Sequence, residues 1–211
     1  MVVERPFDQL AEYARGMACG PNRRFLGITG PPAAGKSTLA QRLADALAPA
    51  AVCVSLDGFH LAQCELERIG KADRKGAPDT FDALGYICLL RRLRDPGEGI
   101  IYAPVFHREI EDSIANELAI DPSVTLIITE GNYLLVRAEP WGRVITLLDE
   151  VWYVELDEET RIERLTARHQ SYGRELAVAR ARALGSDQRN ADLIKESREL
   201  ATQRIVIQSS S

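Results

Sequence analysis

Little in this chain suits a disulfide or metal framework. It carries only four cysteines in 211 residues, at positions 19, 53, 64 and 88, and none form a CxxC pair. That spacing argues against a zinc site and against a cross-linked secreted scaffold, and it favours reduced thiols. The nearest approach to a ligand cluster is Cys53, His60 and Cys64, which fits none of the usual zinc spacings and has no evident fourth donor. Long apolar runs are missing too. No stretch approaches the roughly 18 residues that would span a bilayer, and the N-terminal segment mixes acids with bases around no apolar centre, unlike a secretory signal. A cytoplasmic protein with no membrane association is expected. Positive charge is scarce: the formal net charge is -5, so the basic surface that nucleic acid requires is lacking, and any anionic ligand must be met locally. No internal repeat is visible.

With 45% hydrophobic and 27% charged residues, the chain can bury one sizeable core, and a single domain over residues 1–211 is the simplest reading. Four short apolar runs rich in β-branched residues, at 25–29, 51–56, 124–129 and 151–156, predict buried strands, with a weaker fifth at 204–207. Helical spacing falls between them, notably at 36–47 and 81–94, the second closed by Pro96, Gly97 and Gly99. This alternation predicts an α/β fold in three layers, a five-stranded parallel sheet flanked by helices. Two segments interrupt the pattern: a polar insertion at 61–80 and an Arg-rich helical stretch at 157–189. Both are placed where parallel sheets bind ligands. The terminal serines 209–211 are expected to fray.

Residues 30–37, Gly-Pro-Pro-Ala-Ala-Gly-Lys-Ser, fit G-x-x-x-x-G-K-[ST] between a predicted strand and a predicted helix. Glycines let backbone N–H groups approach phosphate oxygens, and the helix start adds its positive end. The motif therefore implies a nucleoside triphosphate, ATP, with Gly30, Ala33, Ala34, Gly35, Lys36, Ser37 and Thr38 around it. Lys36 would reach the β- and γ-phosphates and Ser37 would face Mg²⁺. There is no N-K-x-D for reading guanine and no LSGGQ-like segment.

Two acids stand at strand ends. Asp57 follows the run at 51–56, a candidate to orient an acceptor hydroxyl, with a turn cap before Gly58 as the alternative. Glu130 ends the run at 124–129 in a Walker B-like arrangement. Direct ligation of Mg²⁺, a bond to a magnesium-bound water, and a structural role all stay open for it.

The ordered set of GPPAAGKST, VSLDGFH, KGAPDTFD at 75–82, YAPVFHREIED at 102–112, LIITEGNYLL at 126–135 and RLTARH at 164–169 resembles the phosphoribulokinase, uridine kinase and bacterial pantothenate kinase family across residues 24–207. It is most similar to a short subgroup whose members are called fructose-transport or fructokinase-like kinases. The resemblance implies a P-loop fold with a helical lid at 157–189, an acceptor side at 61–80, and transfer of the γ-phosphoryl group of ATP to a hydroxyl of a small metabolite, a sugar such as fructose being preferred. Pantothenate and uridine or another nucleoside are the alternatives, and a regulatory ATP-binding switch is the alternative from another class. It further implies Asp57 as catalytic acid, Lys36 and Ser37 as phosphate and magnesium residues, Glu130 as second acid, His107 and Arg108 as an acceptor-side pair, and Phe59, His60, Asp82 and Tyr102 around the substrate. Two departures stand out: Ala33 replaces a common glycine at a position read as unrestricted, and His60 follows D-G-F. Of His60, His107 and His169, His107 is favoured for function. A monomer and a homodimer both fit.

Arg161, Arg164 and Arg168 share a helical face ahead of Gly173, within a stretch whose arginines outnumber its glutamates. A phosphate-facing lid and a solvated helix paired with Glu158 and Glu163 both account for Arg161 and Arg164. Arg168 coincides with the family's lid arginine.

Overall fold

The computed structural model describes residues 2–95, 97 and 99–207. Pro96, one of the expected helix stops, and the terminal serines lie outside the described residues. In chain order the elements are β1 (Val2–Arg5), α1 (Phe7–Ala18), β2 (Arg24–Thr29), α2 (Lys36–Ala46), β3 (Ala51–Ser55), α3 (Gln63–Arg68), α4 (Ala83–Arg94), β4 (Ile101–His107), β5 (Asp112–Ile120), β6 (Leu126–Glu130), β7 (Glu150–Val154), α5 (Glu158–Ser171), α6 (Leu176–Leu184), α7 (Ser186–Lys195) and β8 (Gln203–Ile207). β1-β8-β7-β2-β6-β3 form one parallel sheet of six strands, and β4 and β5 pair as a separate antiparallel ribbon.

The α/β P-loop class is as the sequence predicts, but the sheet has six strands where five are expected. β1 escapes notice because its four residues are alternately exposed and half-buried at the sheet edge, too short a run for a period-two signal. The ribbon escapes because most of β5 is exposed and it includes Asp, Asn, Glu and Ala, which are weak strand formers.

The central strands read as continuous apolar runs because both sheet faces are covered. Phe25, Ile127, Val151 and Tyr153 pack on one face with α4, while Leu26, Ile28, Ile128, Trp152 and Val154 pack on the other with α1 and α2. Each such fully buried side chain contributes about 1.5–3 kcal/mol relative to exposure. That burial holds β2, β6 and β3 side by side, and since they run parallel, their C-terminal ends share one edge. Over that edge fold α3 and two short 3₁₀ turns, covering the predicted insertion, while α5, α6 and α7 carry the Arg-rich stretch on to Lys195.

Candidate active site

Backbone conformation shapes the loop after β2. Gly30 has φ 152°, and a Cβ there would stand 2.6 Å from the Val154 carbonyl oxygen. Gly35 turns into α2 with φ 89°. No side chain caps that helix, so its first N–H groups are available to an anion. The Ala34 N–H is already engaged, donating to Pro31 O at 3.1 Å. Ala33 corrects the sequence reading of an unrestricted position: its φ is 69°, a left-handed conformation that costs a non-glycine residue roughly 1–2 kcal/mol.

Lys36 opens α2 and is only 8% exposed, with no ion pair among the described residues. Burial pushes its ammonium pKa down, against the nearby negative charges of Glu130 and then Asp57, which hold it up. A buried cation without a bonded counter-ion is costly, and phosphate oxygens would supply that counter-ion.

Glu130 ends β6 at 4% exposure. It accepts hydrogen bonds from Ser37 Oγ at 3.0 Å and from Ser55 Oγ. Burial first, then the charge of Asp57, pushes its pKa up, while Lys36 and the two hydroxyls oppose that rise. Ser37 and Glu130 are hard oxygen donors side by side, a set that fits Mg²⁺. Among the described residues no group of three His, Cys, Asp or Glu could hold a metal ion alone, as suits an ion that takes its remaining ligands from phosphate and water.

Asp57 stands in a 3₁₀ turn, Leu56–Phe59, directly after β3. Ser55 caps this turn, accepting from the Asp57 N–H at 3.1 Å. The Asp57 carboxylate is therefore not spent on the turn: its Oδ2 accepts from Arg108 Nη2 at 3.1 Å. His60 Nδ1 lies 4.0 Å from Oδ1 and 2.8 Å from the Asp57 carbonyl oxygen. Burial pushes the His60 pKa down. A neutral ring donating from Nδ1 to that carbonyl keeps Nε2 as an acceptor.

These groups share a cavity of about 900 Å³. Ala33, Gly35, Lys36, Ser37, Thr38, Asp57, His60, Arg108, Glu130, Arg164 and Arg168 all line it, whereas Gly30 and Ala34 shape the loop from behind. Four sequence-predicted substrate residues are not brought there. Phe59 packs edge-on against Tyr86, with ring centroids 5.3 Å apart, and Asp82 caps α4 by accepting from Gly85 N at 2.8 Å. Tyr102 is 49% exposed on the ribbon. His107 alternates with Phe106 and Arg108, so it faces away from the cavity. There it is held by Glu117 at 2.6 Å and Glu109 at 2.9 Å, whose hydrogen bonds raise its pKa, Glu117 more than Glu109. The preference for His107 among the histidines is thus reversed, since His60 and His169 reach the cavity.

Arg161 also departs from the lid reading. It is fully buried, bonded to Glu158 at 2.6 Å and to Gln188. His169 is tied into the Arg-rich helical stretch. Arg174 donates to its Nδ1 at 2.8 Å, so the ring proton sits on Nε2 and donates to Asp187 at 2.7 Å. Among the residues that sequence reasoning did not assign but the cavity includes are Lys75, Asn132, Arg174, Arg182 and Asn190. Lys75 in K-G-x-P and Asn132 after Glu130-Gly131 stood inside quoted motifs, and Arg174 and Arg182 stood in the Arg-rich stretch. Asn190 gave no signal.

No family model matches the chain. An ATP-dependent kinase-like protein of Aspergillus versicolor is 36% identical over 152 residues, covering 68% of this chain and 88% of its own. A proposed uridine kinase of Schizosaccharomyces pombe is 29% identical over 213 residues, covering 96% and 90%. The crystal structure of a proposed fructose transport system kinase from Silicibacter sp. TM1040 superposes with a TM-score of 0.82 at 33% identity, covering 93% of this chain and 98% of that one.

Proposed function

This chain belongs to the phosphoribulokinase, uridine kinase and bacterial pantothenate kinase family of P-loop kinases, and from that premise we propose that it phosphorylates a hydroxyl of a small metabolite held against Asp57. It is an ATP-dependent phosphotransferase. The observation that carries the reading is the position of Asp57, whose carboxylate opens into the same cavity as Lys36, Ser37 and Glu130.

In the proposed step Asp57 takes the acceptor proton while the acceptor oxygen bonds to the γ-phosphorus. The bond from that phosphorus to the β–γ bridging oxygen breaks, and ADP leaves with the electron pair. Lys36 balances charge on the β- and γ-phosphates. Arg168, close enough for its charge to act on Lys36, comes over the transferring group from α5. Mg²⁺, held by Ser37 and by Glu130 directly or through water, neutralises phosphate charge when bound. Residues 1–211 act as one kinase domain, in the cytoplasm where ATP and metabolites meet. The resemblance puts a sugar such as fructose first among the acceptors, with pantothenate and nucleosides next, an order that the charges beside Asp57 can revise.

A coupled assay of ADP release with ATP and Mg²⁺ tests this reading. Release that requires an added hydroxyl compound supports it, and slow turnover indifferent to any acceptor would point instead to a nucleotide-dependent switch.

A further inference from the structure

Beside Asp57 the cavity wall is cationic and aromatic. Lys75 Nζ lies 5.6 Å from the centre of the Phe106 ring, and the Arg108 guanidinium lies 6.0 Å from the same ring. The His60 ring stacks at 4.8 Å from Phe106 and 4.0 Å from Phe81. Lys75 bonds only to the backbone oxygen of Glu111 and has no carboxylate partner among the described residues. Arg108 gives one N–H to Asp57 at 3.1 Å, and no other hydrogen bond from its guanidinium is found among the described residues. Two cations thus flank one aromatic ring next to the proposed base, and of the two only Arg108 is bonded to a carboxylate.

Resting on the kinase reading above, we infer that the acceptor carries its own anionic group, a carboxylate or a phosphate, which docks between Lys75 and Arg108 while its hydroxyl meets Asp57. An uncharged sugar would leave Lys75 without a counter-ion and would displace water from two cations for hydroxyl contacts alone. A hydroxylated anion meets both cations with charge-assisted bonds, and the Arg108 fork can hold it and Asp57 together. The rings of His60, Phe81 and Phe106 then cover the carbon chain, and His60 Nε2 is placed to accept from a second hydroxyl. Asp73 and Glu111 line the same cavity. Their charge disfavours a polyanion, so a small acceptor with one anionic group fits best.

Matched pairs test the inference: glycerate against glycerol and pantothenate against pantothenol for the carboxylate, fructose 6-phosphate against fructose for the phosphate. In at least one pair kcat/KM for the anion should exceed that of its neutral partner by tenfold or more, and the pair that does so identifies the anionic group. Lys75→Met keeps the stem over Phe106 and should raise the anion's KM about tenfold without moving the KM for ATP, since the contacts of Lys75 are to Phe106 and Glu111 and not to the loop motif. Neutral partners used equally well or better, or a Lys75→Met effect equal on both members, would overturn the inference while leaving the kinase reading standing. Should none of the six compounds be turned over, thermal shift with a non-hydrolysable ATP analogue in the loop decides. Stabilisation by glycerate or inorganic phosphate that Lys75→Met removes supports the anion site, and no anion-dependent shift sinks it.

Discussion

The floor of the cavity hangs from the ends of buried strands, whereas its walls hang from a ribbon and from helices at the surface. On the floor, Lys36 and Glu130 are 8% and 4% exposed and each bears the field of the other and of Asp57. On the walls, Arg164, Arg168 and Arg182 face the cavity without an ion pair among the described residues. The difference teaches a division of labour. The floor is fixed by packing before any ligand arrives, which suits the transfer chemistry. The helical walls hold positive charge, on Arg164, Arg168 and Arg182, that no ion pair among the described residues satisfies, which suits recognition and closure.

Removing a floor charge should have the largest effect. Lys36→Ala is expected to lower kcat by on the order of 10³-fold or more. Its melting temperature should hold or rise, because a buried ammonium that burial itself disfavours has been removed. A melting temperature that falls together with kcat would show Lys36 to be structural, and the floor and walls would no longer differ in the way described.

A wall charge should matter less, and through geometry. Arg168→Ala is expected to lower kcat by about 10- to 100-fold, with Arg168→Lys intermediate because it keeps the charge but loses the planar fork. Kinetics on one active substrate checks this. Near-wild-type values for both variants would remove Arg168 from the reaction and move attention to Arg164.

The smallest kinetic effect is expected seven residues earlier on the same helix, where Arg161 is buried rather than poised. Its partner Glu158 has its pKa lowered to about 2, first by the Arg161 hydrogen bond and then by Lys195. A folded pKa below the unfolded one stabilises the protein above the unfolded value near 4.5, and that contribution is lost as pH falls toward 2. Since Glu158 is 41% exposed, screening limits the contribution to on the order of 1 kcal/mol. Glu158→Gln should therefore cost about 1–3 kcal/mol at neutral pH, including the loss to buried Arg161, with kcat unchanged. The gap from wild type should narrow as pH falls from 4.5 toward 2. Melting curves at several pH values, beside a kcat measurement, separate this structural arginine from Arg168.

What could be read from sequence follows the same division. The phosphate loop was legible because its contacts lie within eight neighbouring residues, and Asp57 and Glu130 were legible because buried runs announce where strands end. Ala33 was not, since a left-handed φ leaves no mark in composition. Nor was the facing of the ribbon: His107 and Arg108 are adjacent, yet pleating sends them to opposite sides, and which side meets Asp57 depends on pairing distant in the chain. Arg161 and Arg168 share one helical stripe, but only packing against α7, through Gln188, shows that the first is buried. β1 was missed because an edge strand of four residues gains its pairing from β8, at the other end of the chain.

The central claim, that Asp57 activates an acceptor hydroxyl, is tested most directly by following the label from γ-labelled ATP in a single turnover with an active acceptor. For the wild type the label should pass to the acceptor. In Asp57→Asn that transfer should slow by roughly 10²- to 10⁴-fold, with ATP binding retained. Transfer at the wild-type rate in Asp57→Asn, or label appearing only as inorganic phosphate whatever acceptor is present, would contradict the account.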